Sequence, residues 1–379
     1  MQYNPSMNQW TPSQTVLSYR NLRLSTAEIY KIQQHWPVAE DGNYYADAVF
    51  EGGGIRGLAF LGALRCFDDA GITLRKVAGT SAGAITATLI AAGYAQDDLE
   101  NIIGNLNFKA AFLCQKKPFI WNGLTPANDL QGFNLVWMFT NLFLTHQKGQ
   151  YGSKPFKEWL EQHLNKANVS TFASLFPDNP NKQAWYKQRE LNVVVSNISE
   201  QKMSVLPKDL HDHYQMSQGN FSIAEAVRLS MSIPFFFEPG HLQKSTIVDG
   251  GILSNFPLWI FDTQYHIQPR CPTFGFLLQD DKPQPVKGVV SLLTNMLSTM
   301  QVARDQYYLE NHNQKRVFEI HTRGVSTTAF DLTNAKKDAL YYEGYKAAKA
   351  FLLQWRWEDY LATRGFPQSQ TQSPKGAAL

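Results

Sequence analysis

Val77-Ala78-Gly79-Thr80-Ser81-Ala82-Gly83-Ala84-Ile85-Thr86-Ala87-Thr88-Leu89-Ile90-Ala91-Ala92-Gly93 is the stretch whose reading decides the fold. A short apolar run enters Gly79-Thr80-Ser81-Ala82-Gly83. An Ala-, Ile- and Leu-rich helix pattern leaves it and closes at Gly93, a C-cap residue. Two glycines bracket the serine at plus and minus two, as a tight strand-to-helix turn requires if it is to lift one hydroxyl out of a sheet. At the head of a helix, that hydroxyl would sit where unpaired N–H groups and the positive dipole end favour a developing anion. Gly-x-Ser-x-Gly by itself is also an ordinary turn, so the rest of the chain has to agree with it.

Toward the N-terminus, Ala46 to Phe50 reads as a strand running into Glu51-Gly52-Gly53-Gly54-Ile55-Arg56-Gly57. A helix pattern follows (Leu58, Leu61, Leu64, Phe67) to about Gly71, and then a strand, Leu74 to Ala78. Strand, Gly-rich loop, helix, strand, elbow, helix is the alternation of a parallel sheet covered by helices. Gly52, Gly54 and Gly57 also fit the G-x-G-x-x-G of a dinucleotide site, which predicts an acidic residue at the end of the next strand. That strand ends in Val77-Ala78-Gly79 and offers none. The alternative is that bare glycine amides form an oxyanion hole, with Arg56 adding positive charge. One such donor is typically worth about 3 kcal/mol.

Toward the C-terminus, residues 96 to about 175 read as mostly helical and aromatic, with a Phe- and Trp-bearing portion from Phe108 to Leu144. Strands are expected at Leu191 to Ser196, Ser245 to Val248, Thr273 to Leu278 and Arg316 to His321. Helices are expected at Ser222 to Ser232, stopped by Ile233-Pro234, and from Thr333 to about Trp355. A serine nucleophile needs a proton acceptor. His241, His266, His312 and His321 lack any loop signature, and His211 and His213 sit in a polar run read as a solvated loop. Asp249 is the better candidate: it ends an apolar strand and is followed by Gly250 and Gly251, which leave room for a substrate. Asp-Gly between apolar runs is equally a hairpin signal.

Gly-Gly-Gly-x-Arg-Gly, then Gly-x-Ser-x-Gly, then Asp-Gly-Gly, in this order, resembles the patatin-like phospholipases. Ala226 to Pro239, with Ser-Ile-Pro-Phe-Phe-Phe-Glu-Pro, and Lys148-Gly149-Gln150-Tyr151-Gly152 add weaker similarities, and the likeness covers residues 46 to 260. The resemblance implies an α/β fold of three layers, a central mostly parallel sheet flanked by helices. It implies a Ser–Asp dyad of Ser81 and Asp249 and an oxyanion hole at Gly52, Gly53, Gly54, Arg56 and Gly57. Gly79 and Gly83 would form the elbow, and Gly250 and Gly251 would follow the base. The implied activity is hydrolysis of carboxylic esters of phospholipids or lysophospholipids through an acyl-enzyme, with no cofactor and no metal. Two rivals stay open: a nucleotide-binding regulatory protein using the Gly-rich loop, and a non-catalytic lipid-binding protein on the same fold.

Of 379 residues, 44% are apolar, enough for a sizeable core, and the formal net charge is only +3. With no long Lys or Arg run, a dedicated nucleic-acid surface is not expected. Cys66, Cys114 and Cys271 are few and far apart, which fits free thiols of a reducing compartment. No basic-then-apolar leader opens the chain, and the most lipid-like run, Val136 to Leu144, is too short to span a bilayer. The expectation is a cytoplasmic protein that meets membrane phospholipid peripherally, with export as an effector left open. Residues 1–45 read as an extension with a helix start at Ser25-Thr26-Ala27-Glu28, 46–358 as the catalytic domain, and 359–379 as a Pro-, Ser- and Gln-rich disordered tail.

Overall fold

A computed structural model describes residues 10–17, 22–112, 114–115, 149–175, 183–263, 267–279, 299, 315–327 and 329–366. The elements run α1 Thr26–Gln33, β1 Tyr44–Phe50, α2 Leu58–Asp69, β2 Ile72–Thr80, α3 Ala82–Ala91, α4 Gln96–Gly104 and α5 Phe108–Phe112. There follow β3 Cys114–Gln115, β4 Gly149–Gly152, α6 Lys154–Lys166, β5 Glu190–Asn197, β6 Lys202–Leu206, α7 Lys208–Tyr214 and α8 Ile223–Ser230. The chain continues as β7 Phe235–Phe237, β8 Gly240–Leu242, β9 Ser245–Asp249, β10 Thr273–Gln279, β11 Val317–His321, α9 Asn334–Gln354 and α10 Trp357–Thr363.

Eight strands form the central sheet in the order β11-β10-β1-β2-β5-β9-β8, with β6 also on β5. The five from β11 to β5 are parallel, and β6, β8 and β9 pair antiparallel. A parallel strand buried on both faces must be apolar almost throughout, which is what Leu191, Val193, Val194 and Val195 supply in β5. Residues alternate across the sheet. Ala46, Ala48 and Phe50 of β1 face the main core with α2, α3 and α9, whereas Val49 and Ala78 meet Phe256 and Leu258 on the other face. That second face is covered by a short 3-10 turn, Leu258–Phe261. The whole is a mixed α/β fold, a central sheet flanked by helices.

The register of β5 holds the arrangement that matters most. Along one edge β5 pairs with β6 from Val193 to Asn197. Its other edge is shared: β2 occupies it up to Thr80 opposite Val194, and β9 from Asp249 opposite Val195 to Ile247 opposite Asn197. β2 runs parallel to β5 and β9 antiparallel, so the two strands approach head-on and their last residues meet.

Some expectations shift and others gain detail. The N-terminal extension is tied down where it is described: Trp10 is buried, its indole Nε1–H donates to Asp338 of α9 (2.7 Å) and its amide to Asn105 Oδ1 (2.9 Å). Ser25 and Glu28 form a capping box on α1. The boundary placed at 359 falls inside α10, where Tyr360 is buried and its hydroxyl accepts the Thr273 amide (3.2 Å). This aromatic anchor holds the chain in place near residue 360, and the Pro- and Ser-bearing residues 367–379 lie outside the described ones. The strands β6 and β8 were not foreseen, being short and only partly alternating. His211 and His213 lie on the helix α7, with both side chains exposed. Most of the aromatic portion from Phe108 to Leu144 is outside the described residues. Among the described residues, no helix is long and apolar enough to cross a membrane.

Candidate active site

Because β2 and β9 meet on the same edge of β5, the residue after Thr80 and the last residue of β9 are neighbours. Ser81 and Asp249 are both buried, at 6% and 5% exposure, although 168 positions separate them in the chain (249 − 81). Neither strand could deliver this alone.

Ser81 stands at the strand-to-helix turn with φ +52° and ψ −124°. A non-glycine residue with positive φ is strained by roughly 1–3 kcal/mol and persists only if its surroundings hold it. Two features do so. A β-carbon on Gly79 would run into the Gly83 backbone, and one on Gly83 into the Phe50 carbonyl, so only glycines permit a turn this sharp. The Ser81 amide also donates to Ser230 Oγ (2.8 Å), and that hydroxyl donates to the Val194 carbonyl (2.6 Å). Ser81 itself caps α3 without a side-chain bond to the first turn, so the dipole's positive end points at the hydroxyl.

Asp249 Oδ1 accepts the Gly251 amide (2.8 Å), while Oδ2 is buried with no hydrogen-bond partner among the described residues. Burial pushes this carboxyl up to about 6; the Gly251 amide and the Ser81 hydroxyl pull against that shift. The hydroxyl is thus close enough to act on the carboxyl without completing a bond of good geometry to Oδ2. A base tuned this way is half-ionised one unit below neutrality and strong enough to take a proton. Gly250 leaves no room for a side chain because a β-carbon there would strike the Val194 carbonyl. Among the described residues no histidine interacts with either group; His241 and His321 lie on the exposed surface.

The Gly-rich loop closes the third side. A β-carbon at Gly52 would come within 3.2 Å of Ser81 Cβ. Gly54 adopts φ +55°, and residues Gly54–Gly57 form a 3-10 turn leading into α2, with Gly57 as its cap. The five residues assigned to an oxyanion hole divide here. The Gly52 amide is spent on the Asn255 carbonyl (3.2 Å), so it has no proton to offer a substrate. The amides of Gly53 and Gly54 donate to none of the described residues. Arg56 is half-buried and turns its Nε to the loop's own backbone. Its Nε and its own amide both donate to the Gly53 carbonyl (3.2 Å each), so the side chain braces the loop. Thr327, from beyond the motif-bearing part of the chain, accepts the Ile55 amide (3.1 Å) and packs over Gly54. The site thus holds a buried hydroxyl and a buried carboxylate oxygen that has no partner among the described residues, next to a glycine loop that comes close to Ser81 at Gly52.

Ser230 and Asn255 carry no signature that sequence spacing could have raised. Ser230 lies within the stretch from Ala226 to Pro239, two residues before its Ser-Ile-Pro, and Asn255 lies six residues past Asp249; both read as ordinary polar residues until the sheet brings them in.

Residues 48–262 match the family described as patatin-like phospholipase. The chain belongs to the patatin-like phospholipase family, and by class it is a lipid hydrolase. An uncharacterized protein of Bacillus subtilis (strain 168), YqhO, is 31% identical over 319 residues, 82% of this chain and 99% of that one. A probable lipid hydrolase, 463L, of Invertebrate iridescent virus 6 is 23% identical over 227 residues, 59% of this chain and 65% of that one. Among solved structures, VipD of Legionella pneumophila aligns with a TM-score of 0.47 and 19% identity, covering 83% of this chain and 69% of that one.

Proposed function

We propose that the protein hydrolyses carboxylic ester bonds of phospholipids or lysophospholipids through a Ser81–Asp249 dyad. The observation that carries the reading is the unpartnered Oδ2 of Asp249, buried beside the strained Ser81. Ser81 Oγ attacks the ester carbonyl carbon as its proton moves to Asp249 Oδ2. The carbonyl oxygen becomes an oxyanion held by the Gly53 and Gly54 amides and the head of α3. The bond to the alcohol oxygen then breaks, and Asp249 returns the proton to the departing alcohol. Water gives a proton to the same carboxylate, attacks the acyl-Ser81 ester, and the fatty acid leaves as Ser81 regains its proton. Each step moves one proton between Ser81, Asp249 and the reacting groups, beside amides fixed in place that need no reorganisation.

A fluorophosphonate probe tests the nucleophile: covalent labelling that maps to Ser81 and disappears in Ser81→Ala supports it. Labelling that survives in Ser81→Ala removes it. Incubation with phosphatidylcholine vesicles carrying two distinguishable acyl chains, against short soluble esters, tests the substrate class. Preferential release of fatty acid from vesicles supports a lipid acyl hydrolase with peripheral membrane contact; equal rates reduce the protein to a general esterase.

A further inference from the structure

Asn255 holds the glycine loop at two points. Its carbonyl accepts the Gly52 amide (3.2 Å) and its side-chain Nδ2 donates to the Gly52 carbonyl (3.0 Å), in the manner of one rung of a sheet. The second Nδ2 proton goes to Glu51 Oε1 (2.9 Å), and Glu51 Oε2 accepts the Leu278 amide (2.6 Å). Asn255 and Glu51 are both buried, at 6% and 8% exposure. A trans peptide is planar, so its N–H and C=O point in opposite directions. Pinning the Gly52 carbonyl against Asn255 therefore turns the Gly53 N–H away from Asn255, and no described residue accepts it.

We propose that Asn255 is a positioning residue that aims the Gly53 amide as an oxyanion donor. The inference rests on the Ser81–Asp249 reading, because only a reaction at Ser81 gives that amide an anion to meet. Asn255 lies on the segment that starts at Asp249, so one stretch of seven residues (249 to 255) supplies the base at one end and orients an oxyanion donor from the other. The bond to Gly52 is the part that positions; the bond to Glu51 is the part that holds the fold. The two can be separated, since aspartate can accept from a glutamine at 51 but cannot donate to a carbonyl.

The experiment compares Asn255→Asp with the swapped pair Glu51→Gln/Asn255→Asp, reading Tm, kcat and KM on a soluble ester and affinity for a trifluoromethyl ketone. In Asn255→Asp, two carboxylates and the Gly52 carbonyl face one another, so both Tm and kcat should fall. The swapped pair should recover Tm to near wild type. It should leave kcat down of the order of 10²-fold with KM within about threefold, because the Gly52 carbonyl still lacks its donor. Ketone affinity should fall in parallel with kcat. If Asn255→Asp alone does not fold, the swapped pair is read directly against wild type. Recovery of kcat together with Tm in the swapped pair overturns the inference while leaving the dyad standing. Absence of fluorophosphonate labelling at Ser81 in the wild-type protein overturns both.

Discussion

Two buried carboxylates, Glu100 and Asp249, are comparably shielded, at 4% and 5% exposure, and their surroundings could hardly differ more. Glu100 of α4 receives Arg65 Nε (2.8 Å), Gln96 Nε2 (3.1 Å) and the Tyr341 hydroxyl (2.8 Å), and so ties α4 to α2 and α9. Burial works against the charge on Arg65, yet bonds from Glu100 and Asp97 more than restore it and hold the guanidinium's pKa above its usual value. Asp249 receives one amide and keeps an oxygen that meets no donor among the described residues. A carboxylate that only holds a fold together is surrounded by donors, because an unmet buried charge is costly. A carboxylate left unmet is tolerated where the missing partner is a passing proton.

Removing each carboxylate should therefore have opposite effects. The largest concerns turnover. Asp249→Asn keeps the shape but not the basicity and should lower kcat by at least about 10³-fold, close to Ser81→Ala; Glu100→Gln should stay within about threefold in the same ester assay. Next is stability. Glu100→Gln leaves Arg65 with charged partners at Asp97 and Asp68, both more exposed, in place of the buried carboxylate, and should cost ~3 kcal/mol in denaturant unfolding.

Asp249→Asn should move the other way. Its carboxyl sits at about 6 in the folded protein, above the roughly 3.9 of an unfolded chain. The folded state therefore binds that proton more tightly. The stability this confers is complete below the unfolded value and lost as pH rises through 6. The asparagine variant escapes the loss, so it should be more stable than wild type at pH 8 by about 1–3 kcal/mol and unfold at a higher temperature, with the gain shrinking to nothing near pH 4. A melting series across that range checks it; a variant less stable at pH 8 would break the comparison. The smallest effect is the pH profile: kcat/KM should fall about tenfold per unit below pH 6 as Asp249 takes up its proton. That limb should be unaltered in Glu100→Gln.

Much of this was legible in the chain, for identifiable reasons. Glycines at 79 and 83 are demanded by backbone collisions, and collisions leave a spacing that letters preserve. β5, β9, β10 and α9 were readable because burial on both faces, or on one stripe, imposes a period. Asp249 was readable as the polar end of an apolar strand. The Ser230 bridge was not, since a hydroxyl between an amide and a carbonyl needs no pattern, only proximity created by the register of three strands. Nor was the withdrawal of the Gly52 amide, which depends on Asn255, a partner far away in sequence. Trp10 escaped for the same reason: its partners, Asn105 just past α4 and Asp338 on α9, lie far along the chain.

One strand that supplies no reacting atom fixes the spacing of those that do. Val194 and Val195 are adjacent, and they dock the tips of β2 and β9 respectively. The gap between hydroxyl and carboxylate is thus counted in whole peptide units and cannot drift by fractions. A slip of one position along β5 would carry Asp249 about 3.3 Å away and turn it to the opposite side of the sheet. β5 is a ruler with a single usable graduation, which makes its dull run of valines as exacting a part of the machinery as the serine.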